Sequence, residues 1–162
     1  TYRYLPFQRN VKVLESNVYK GYDTTMITSE FRSTSERLFE KYCEKSENVK
    51  FVYKNGDTGQ QYLSIVYGTN FDKQRLFYPD YIVQLVDGAI WLIETKGGET
   101  KGHSKNIDVQ IENKFEAFKR FANEHNYNFG FVRDRDEELY LNNTEYVEDM
   151  GHSSWIPIEY IL

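Results

Sequence analysis

Two apolar runs, Tyr81 to Val86 and Ala89 to Ile93, stand on either side of Asp87-Gly88, and no other stretch limits the fold of this chain so tightly. An Asp-Gly pair between apolar segments is the strongest short-range hairpin signal, because tight hairpin turns need residues that tolerate positive φ. These runs are also the most apolar in the chain, which predicts that they form the middle of a sheet covered on both faces. The neighbouring pattern supplies the cover. Ser33 and Glu36 match an S-x-x-E capping box, and Leu38, Phe39, Tyr42 and Cys43 follow at helical spacing, predicting a helix of about three turns. Further on, Ile107, Ile111, Phe115, Phe118, Phe121 and Ala122 line one stripe of a longer helix that reaches about His125.

The remaining elements follow from shorter signals. Val49 to Tyr53 is β-rich and runs into Asn55-Gly56, and Gln61 to Tyr67 is another β-branched and aromatic run, so the two are expected as consecutive antiparallel strands. Phe129 to Val132 and Glu138 to Leu141 are expected strands, and Trp155 to Leu162 a C-terminal strand or tail that Pro157 confines to an edge. Residues 1–30 read as an extended lead-in with one strand around Lys12 to Val18. The order of helix, strands, helix and strand defines an α/β fold, a central mixed β-sheet flanked by helices on both faces. A chain of 162 residues closes one core. The expected division is a lead-in, a core of about 33–133, and C-terminal strands and tail over 134–162.

Composition narrows the class. With 14 Tyr and 11 Phe the chain is far too aromatic for a disordered one. The net charge of −5 withholds the basic field that drives non-specific nucleic-acid binding, so contact with DNA would need help from a partner. The single Cys43 has no partner for an intrachain disulfide and is expected in the core, in keeping with a reducing, cytoplasmic setting. No apolar run approaches the roughly 18 residues of a membrane span, and the start TYRYLPFQRN lacks the apolar block of a signal peptide. The expectation is a soluble intracellular protein without a membrane partner. A start at Thr1 fits removal of an initiator Met or excision from a longer chain.

Three charged residues interrupt the apolar pattern: Asp80 after Pro79, and Glu94 and Lys96 closing the run IWLI. Charges at the ends of central strands cost several kcal/mol to desolvate unless they are paired or bound to a metal, so their presence points to use. Glu94 and Lys96 are two apart and share a face of a strand, with Thr95 turned away. The hairpin returns the chain so that Asp80, ahead of the first strand, meets them at the end of the second. Parity sets a condition. A two-residue Asp87-Gly88 loop would pair Asp80 with Thr95 and put Asp80 on the wrong face, so the turn must have an odd loop or a bulge with Gly88 at positive φ, or Asp80 must precede regular pairing. Two carboxylates and an ammonium so placed suit phosphodiester cleavage: the acids hold a hard cation such as Mg2+, and the lysine orients water or neutralises charge on the phosphate. The bland alternative is a surface ion pair and a strand-initiating Asp. Gly97 and Gly98 would let a DNA backbone approach, in the polar, glycine-rich stretch GGETKGHSKN expected as a mobile loop.

The stretch YPDYIVQLVDGAIWLIETKGG resembles the core of the PD-(D/E)xK nuclease superfamily, and more narrowly the C-terminal endonuclease domain of the restriction subunit of type III restriction-modification enzymes. The likeness covers about Ser33 to Val132, and Tyr78 to Gly98 carries most of its specificity. It implies a restriction-endonuclease-like fold that cuts double-stranded DNA with Mg2+, for which Mn2+ would substitute. Asp80, Glu94 and Lys96 take the three motif positions, and the Thr95 carbonyl is a further metal ligand. Glu36 falls where many members place a glutamate on the first helix near the metal; the capping box with Ser33 is its other role, and the sequence leaves both open. Gln110 and Lys114 resemble the Q-x-x-x-Y element of some of these nucleases with Lys in place of Tyr, against a solvated helix face as the alternative. Lys101 and Lys105, with His103 beside them, make a small basic cluster that would either approach DNA or simply lie in solvent. His125 and His152 lack partners at zinc-ligand spacing, and the many aromatics are assigned to packing.

Type III restriction subunits carry an ATP-driven motor, and this chain has no G-x-x-x-x-G-K-[ST] phosphate loop. The resemblance therefore implies a nuclease domain linked to a helicase/ATPase that uses ATP, with a methyltransferase subunit as a further partner, in a bacterial or archaeal cytoplasm. Two other classes compete: a catalytically silent nuclease-fold module that docks or tethers DNA for a linked helicase, and a nuclease acting on RNA or branched DNA.

Overall fold

The computed structural model describes residues 33–55, 63–68, 74–100, 103–104 and 111–162, with side chains left aside at 99, 100, 103 and 104. The expected strand at Lys12 to Val18, the lead-in as a whole, and Ile107 lie outside these residues.

The first helix, α1 (Thr34–Lys45), begins where its sequence signal placed it. The Ser33 hydroxyl accepts from the Glu36 N–H at 3.2 Å, and Glu36 Oε2 accepts from the Ser33 N–H at 2.9 Å, so both halves of the capping box are made. Replacing Ser33 by alanine should cost about 1 kcal/mol, read as a lower urea midpoint with unchanged slope. After α1 come β1 (Val49–Lys54), β2 (Ile65–Gly68), β3 (Gln74–Phe77), β4 (Tyr81–Leu85), β5 (Ile90–Thr100) and β6 (His103–Ser104). They are followed by α2 (Ile111–Glu124), β7 (Asn128–Arg135), β8 (Glu138–Asn142), β9 (Ile156–Pro157) and a 3-10 turn over Ile158–Tyr160.

The main sheet is mixed, in the order β1-β4-β5-β7-β8-β9, with β6 folded back on the far end of β5. Only β5 and β7 run parallel, joined by the crossover that contains α2. As the apolar pattern predicted, β4 and β5 lie inside the sheet, and Pro157 sits on its edge.

Alternating side chains divide into two cores, which is how the sheet comes to be covered on both faces. Tyr81, Val83, Trp91, Ile93, Val132 and Leu141 pack with Phe39 and Cys43 of α1. Leu92, Phe129 and Phe131 pack with Phe115, Phe118 and Ala122 of α2. The period of two along each strand sends successive residues to opposite helices. Most aromatics are packing groups, as expected: Phe115 and Phe118 each stack edgewise on Phe129, with ring centres 5.2 Å apart.

Two expectations are corrected. The runs after α1 do not pair with each other: β1 joins β4, and β2 pairs with β3 as a separate two-stranded sheet, whose Ile65, Tyr67 and Phe77 lie against α2. Local β-propensity identifies a strand but not its partner. The stretch after Lys96 does not begin as a loop either, because β5 continues through Gly97 and Gly98 to Thr100 and His103–Ser104 form β6, while residues 101, 102, 105 and 106 lie outside the described residues. The register slips there. Lys96 faces Arg133 and Glu99 faces Arg135, so Gly97 and Gly98 together oppose the single residue Asp134, a bulge within a parallel pair.

Candidate active site

The β4–β5 turn meets the parity condition. Leu85 N–H donates to Ala89 O at 2.9 Å and Gly88 N–H to Leu85 O at 3.0 Å, so Val86, Asp87 and Gly88 form an odd loop, closed with Gly88 at φ 92°. The ladder then runs Gln84↔Ile90 to Tyr81↔Ile93. Asp80 lies one residue ahead of regular pairing, near enough for its charge to act on Glu94. Lys96 follows two residues on.

Asp80 occupies a bend just ahead of β4. Its backbone is fixed by the Asn55 N–H, which donates to Asp80 O at 2.8 Å. Its Oδ2 accepts from both the Thr95 N–H at 2.8 Å and the Thr95 hydroxyl at 2.6 Å. Thr95 thus contributes an amide and a hydroxyl that lock the first acid to the strand carrying the second. Asp80 Oδ1 faces Lys54 Nζ at 3.4 Å, and the same ammonium is 2.8 Å from Glu36 Oε1. Glu36 is therefore engaged twice, by the cap and by Lys54.

Glu94 is buried, and its Oε1 pairs with Lys96 Nζ at 3.3 Å. Its Oε2 is enclosed without a hydrogen-bond partner among the described residues. Burial, and after it the neighbouring Asp80 charge, push the Glu94 carboxyl up to about 8, while Lys96 and Lys114 pull the other way. Lys114, four residues into α2, lies over the Tyr67 ring with Nζ 5.8 Å from its centre. Its charge also acts on Glu94.

The strand carrying Glu94 and Lys96 is held from behind. The Ser35 hydroxyl lies 2.6 Å from Lys96 O and also hydrogen-bonds Asp134 Oδ1. Arg133, buried to 1% exposure, donates from Nε to Gly97 O at 2.8 Å and from NH1 to Glu148 O at 2.7 Å.

The structure therefore groups Asp80, Glu94, Lys96, Thr95, Glu36 and Lys114 at one end of the sheet. Gly98 lies against β7. A Cβ there would lie 1.7 Å from Asp134 O, so its missing side chain makes room for β7. Gly97 likewise lies in the strand, with its carbonyl spent on Arg133. Lys101, Lys105 and Gln110 lie outside the described residues, as does the side chain of His103. His125 is exposed and stacks on Phe121 at 4.2 Å, and His152 bonds Ser154, so neither reaches the cluster.

Lys54 was missed. Its contact with Asp80 depends on β1 joining β4, with Lys54 opposite Tyr81, and nothing near Lys54 in sequence announces that pairing.

Among the described residues no three His, Cys, Asp or Glu converge as a metal cage. The oxygens that could hold a cation are Glu94 Oε2, which has no donor, and Asp80 Oδ1, which meets Lys54 only at 3.4 Å. A cation there would offset both causes of the raised Glu94 pKa, so the donor set fits one. Two carboxylates plus water and phosphate oxygens are the shell Mg2+ favours.

Fold and site together define an α/β protein with a mixed sheet and two helices, carrying an acid–acid–lysine cluster at the end of its central hairpin. Compared with protein-family models and with curated proteins, the chain matches none. Among the described residues no helix is long and apolar enough to cross a membrane.

Proposed function

We propose that this chain is a Mg2+-dependent DNA endonuclease domain of the PD-(D/E)xK type, with a restriction-endonuclease-like fold, serving as the cleavage domain of a type III restriction enzyme. The observation that carries this reading is the enclosed Glu94 Oε2 without a donor, beside Lys96 and within reach of the charge of Asp80, which Thr95 ties to the same strand. The path of α1, an antiparallel trio β1-β4-β5, the α2 crossover and parallel β7 supports the fold assignment.

Asp80, Glu94 and the Thr95 carbonyl would hold the ion. When bound, it supplies charge stabilisation at the scissile phosphate and lowers the pKa of a water. The remaining work falls to the chain. Thr95 fixes the orientation of Asp80, so the acid is positioned before substrate arrives. Lys96, beside Glu94, would orient water or meet charge building on the phosphate. Lys114 approaches from α2 and adds a second positive charge beside the same phosphate. The net charge of −5 assigns most of the grip on double-stranded DNA to a linked helicase/ATPase, with ATP used there, and to a methyltransferase partner.

Plasmid nicking with Mg2+ or Mn2+ tests the reading. Asp80→Ala and Lys96→Ala should each lower the rate at least about a hundredfold, the scale of losing one charge-stabilising group. Equal cleavage by wild type and both variants would remove these roles. If the wild type neither cuts nor binds Mn2+, the chain is a silent nuclease-fold module that docks or tethers DNA.

A further inference from the structure

We propose that Lys54 is a built-in cation: its ammonium fills the seat between Glu36 and Asp80 that a second divalent ion would otherwise take, so the site binds a single ion on the Glu94 side. The inference deepens the metal-dependent reading above and rests on it.

The seat is enclosed and shaped around the ammonium. Lys54 Nζ lies 2.8 Å from Glu36 Oε1 and 3.4 Å from Asp80 Oδ1, with the Lys54 side chain 13% exposed and those of Glu36 and Asp80 16% and 25%. A third wall is the Tyr81 ring, whose centre is 4.6 Å from Nζ, a cation–π contact that adds attraction where water is excluded. That ring is itself fixed, since the Tyr81 hydroxyl donates to buried Glu40 at 2.6 Å. The base of the lysine is fixed as well, because Lys54 pairs with Tyr81 at the end of β1.

Glu36 has little to give to an ion. Its Oε2 accepts from the Ser33 N–H in the cap and its Oε1 holds the ammonium. Glu94 presents the opposite case, an enclosed Oε2 with no donor. A divalent ion entering beside Glu94 gains an unsatisfied oxygen, whereas one entering beside Glu36 must evict an ammonium held by two carboxylates and a ring. An ammonium is a compact charge with three donors and no acceptor, and it does not activate a bound water as a metal ion does. Lys54 is on this account a positioning residue: it neutralises Asp80 and keeps Glu36 facing the site while leaving the chemistry to one ion.

The test counts ions directly. Mn2+ is titrated into this chain and followed by electron paramagnetic resonance, comparing wild type with Lys54→Met, which keeps an unbranched stem against Tyr81, and with Lys54→Gln as a second uncharged variant. Circular dichroism identifies the variants that fold as wild type does. The expected result is one additional Mn2+ per chain in the folded variants, returning to the wild-type count when Glu36→Gln is added to Lys54→Met. An unchanged count in the folded variants overturns the proposal, and so does a wild type that already binds two ions. The increment and the starting value separate the two readings: no ion in wild type counts against the metal site at Glu94, whereas no increment counts against Lys54 as its neighbour's substitute.

Discussion

A Gly98→Ala variant should lose at least about 3 kcal/mol of folding stability, and with it the geometry on which the proposed nuclease reading depends. The added methyl would meet Asp134 O at 1.7 Å, Asp134 C at 2.6 Å and Asp134 Oδ1 at 2.6 Å, and the first two are backbone atoms that no rotamer change can move. Relief requires β5 and β7 to separate at their bulge. Asp134 is tied through Ser35 to the Lys96 carbonyl, so the separation passes straight to the strand that carries Glu94 and Lys96. Gly68→Ala is the control, since nothing lies within 4 Å of its added carbon. Urea melts of both variants decide the matter: near-equal losses would mean that the bulge can relax.

That glycine also shows where the sequence stops being informative. The hairpin was legible because Asp87-Gly88 and its apolar flanks are local features whose turn chemistry fixes what they can form. The capping box placed α1 for the same reason, and the spacing of Glu94 and Lys96 put two of the site's groups on one side. Gly97 and Gly98 misled because glycine is a poor strand former by itself; pairing with β7 overrides that preference, and β7 lies beyond a helix. Lys54 was hidden by the same kind of distance, since the β2–β3 arm separates β1 from its true partner β4. Glu36 was left with two roles, and the structure gives it the cap together with an ion pair to Lys54.

The second large effect is a pH dependence that depends on one carboxyl. Glu94 is raised from 4.5 to about 8, chiefly by burial, so in the absence of metal the fold favours its protonated form. Its contribution to stability is complete below about pH 4.5 and is lost as pH climbs to about 8, at up to about 1.4 kcal/mol per unit. Glu94→Gln keeps the shape without the charge. In the presence of a chelator, the variant should match wild type near pH 4.5 and exceed its stability by roughly 4 kcal/mol at pH 8. Denaturant melts at pH 4.5, 6 and 8 measure the gap, and one that stays constant with pH would show that Glu94 is not strained by its charge. Mg2+ should reverse the order at pH 8, stabilising wild type but not the variant, because an ion that binds the folded carboxylate shifts folding by mass action.

The turn between β4 and β5 has a consequence beyond joining two strands. Because Val86, Asp87 and Gly88 are three, Tyr81 pairs with Ile93 and Asp80 is delivered to the start of the segment Glu94 to Lys96; shortened or lengthened by a single residue with regular pairing kept, the same turn would shift that register and send the side chains of one strand to the other face. The chemistry of this chain thus hinges on arithmetic as much as on composition, and a change of one in a surface connection far from the cluster would undo it while every charged group remained in place.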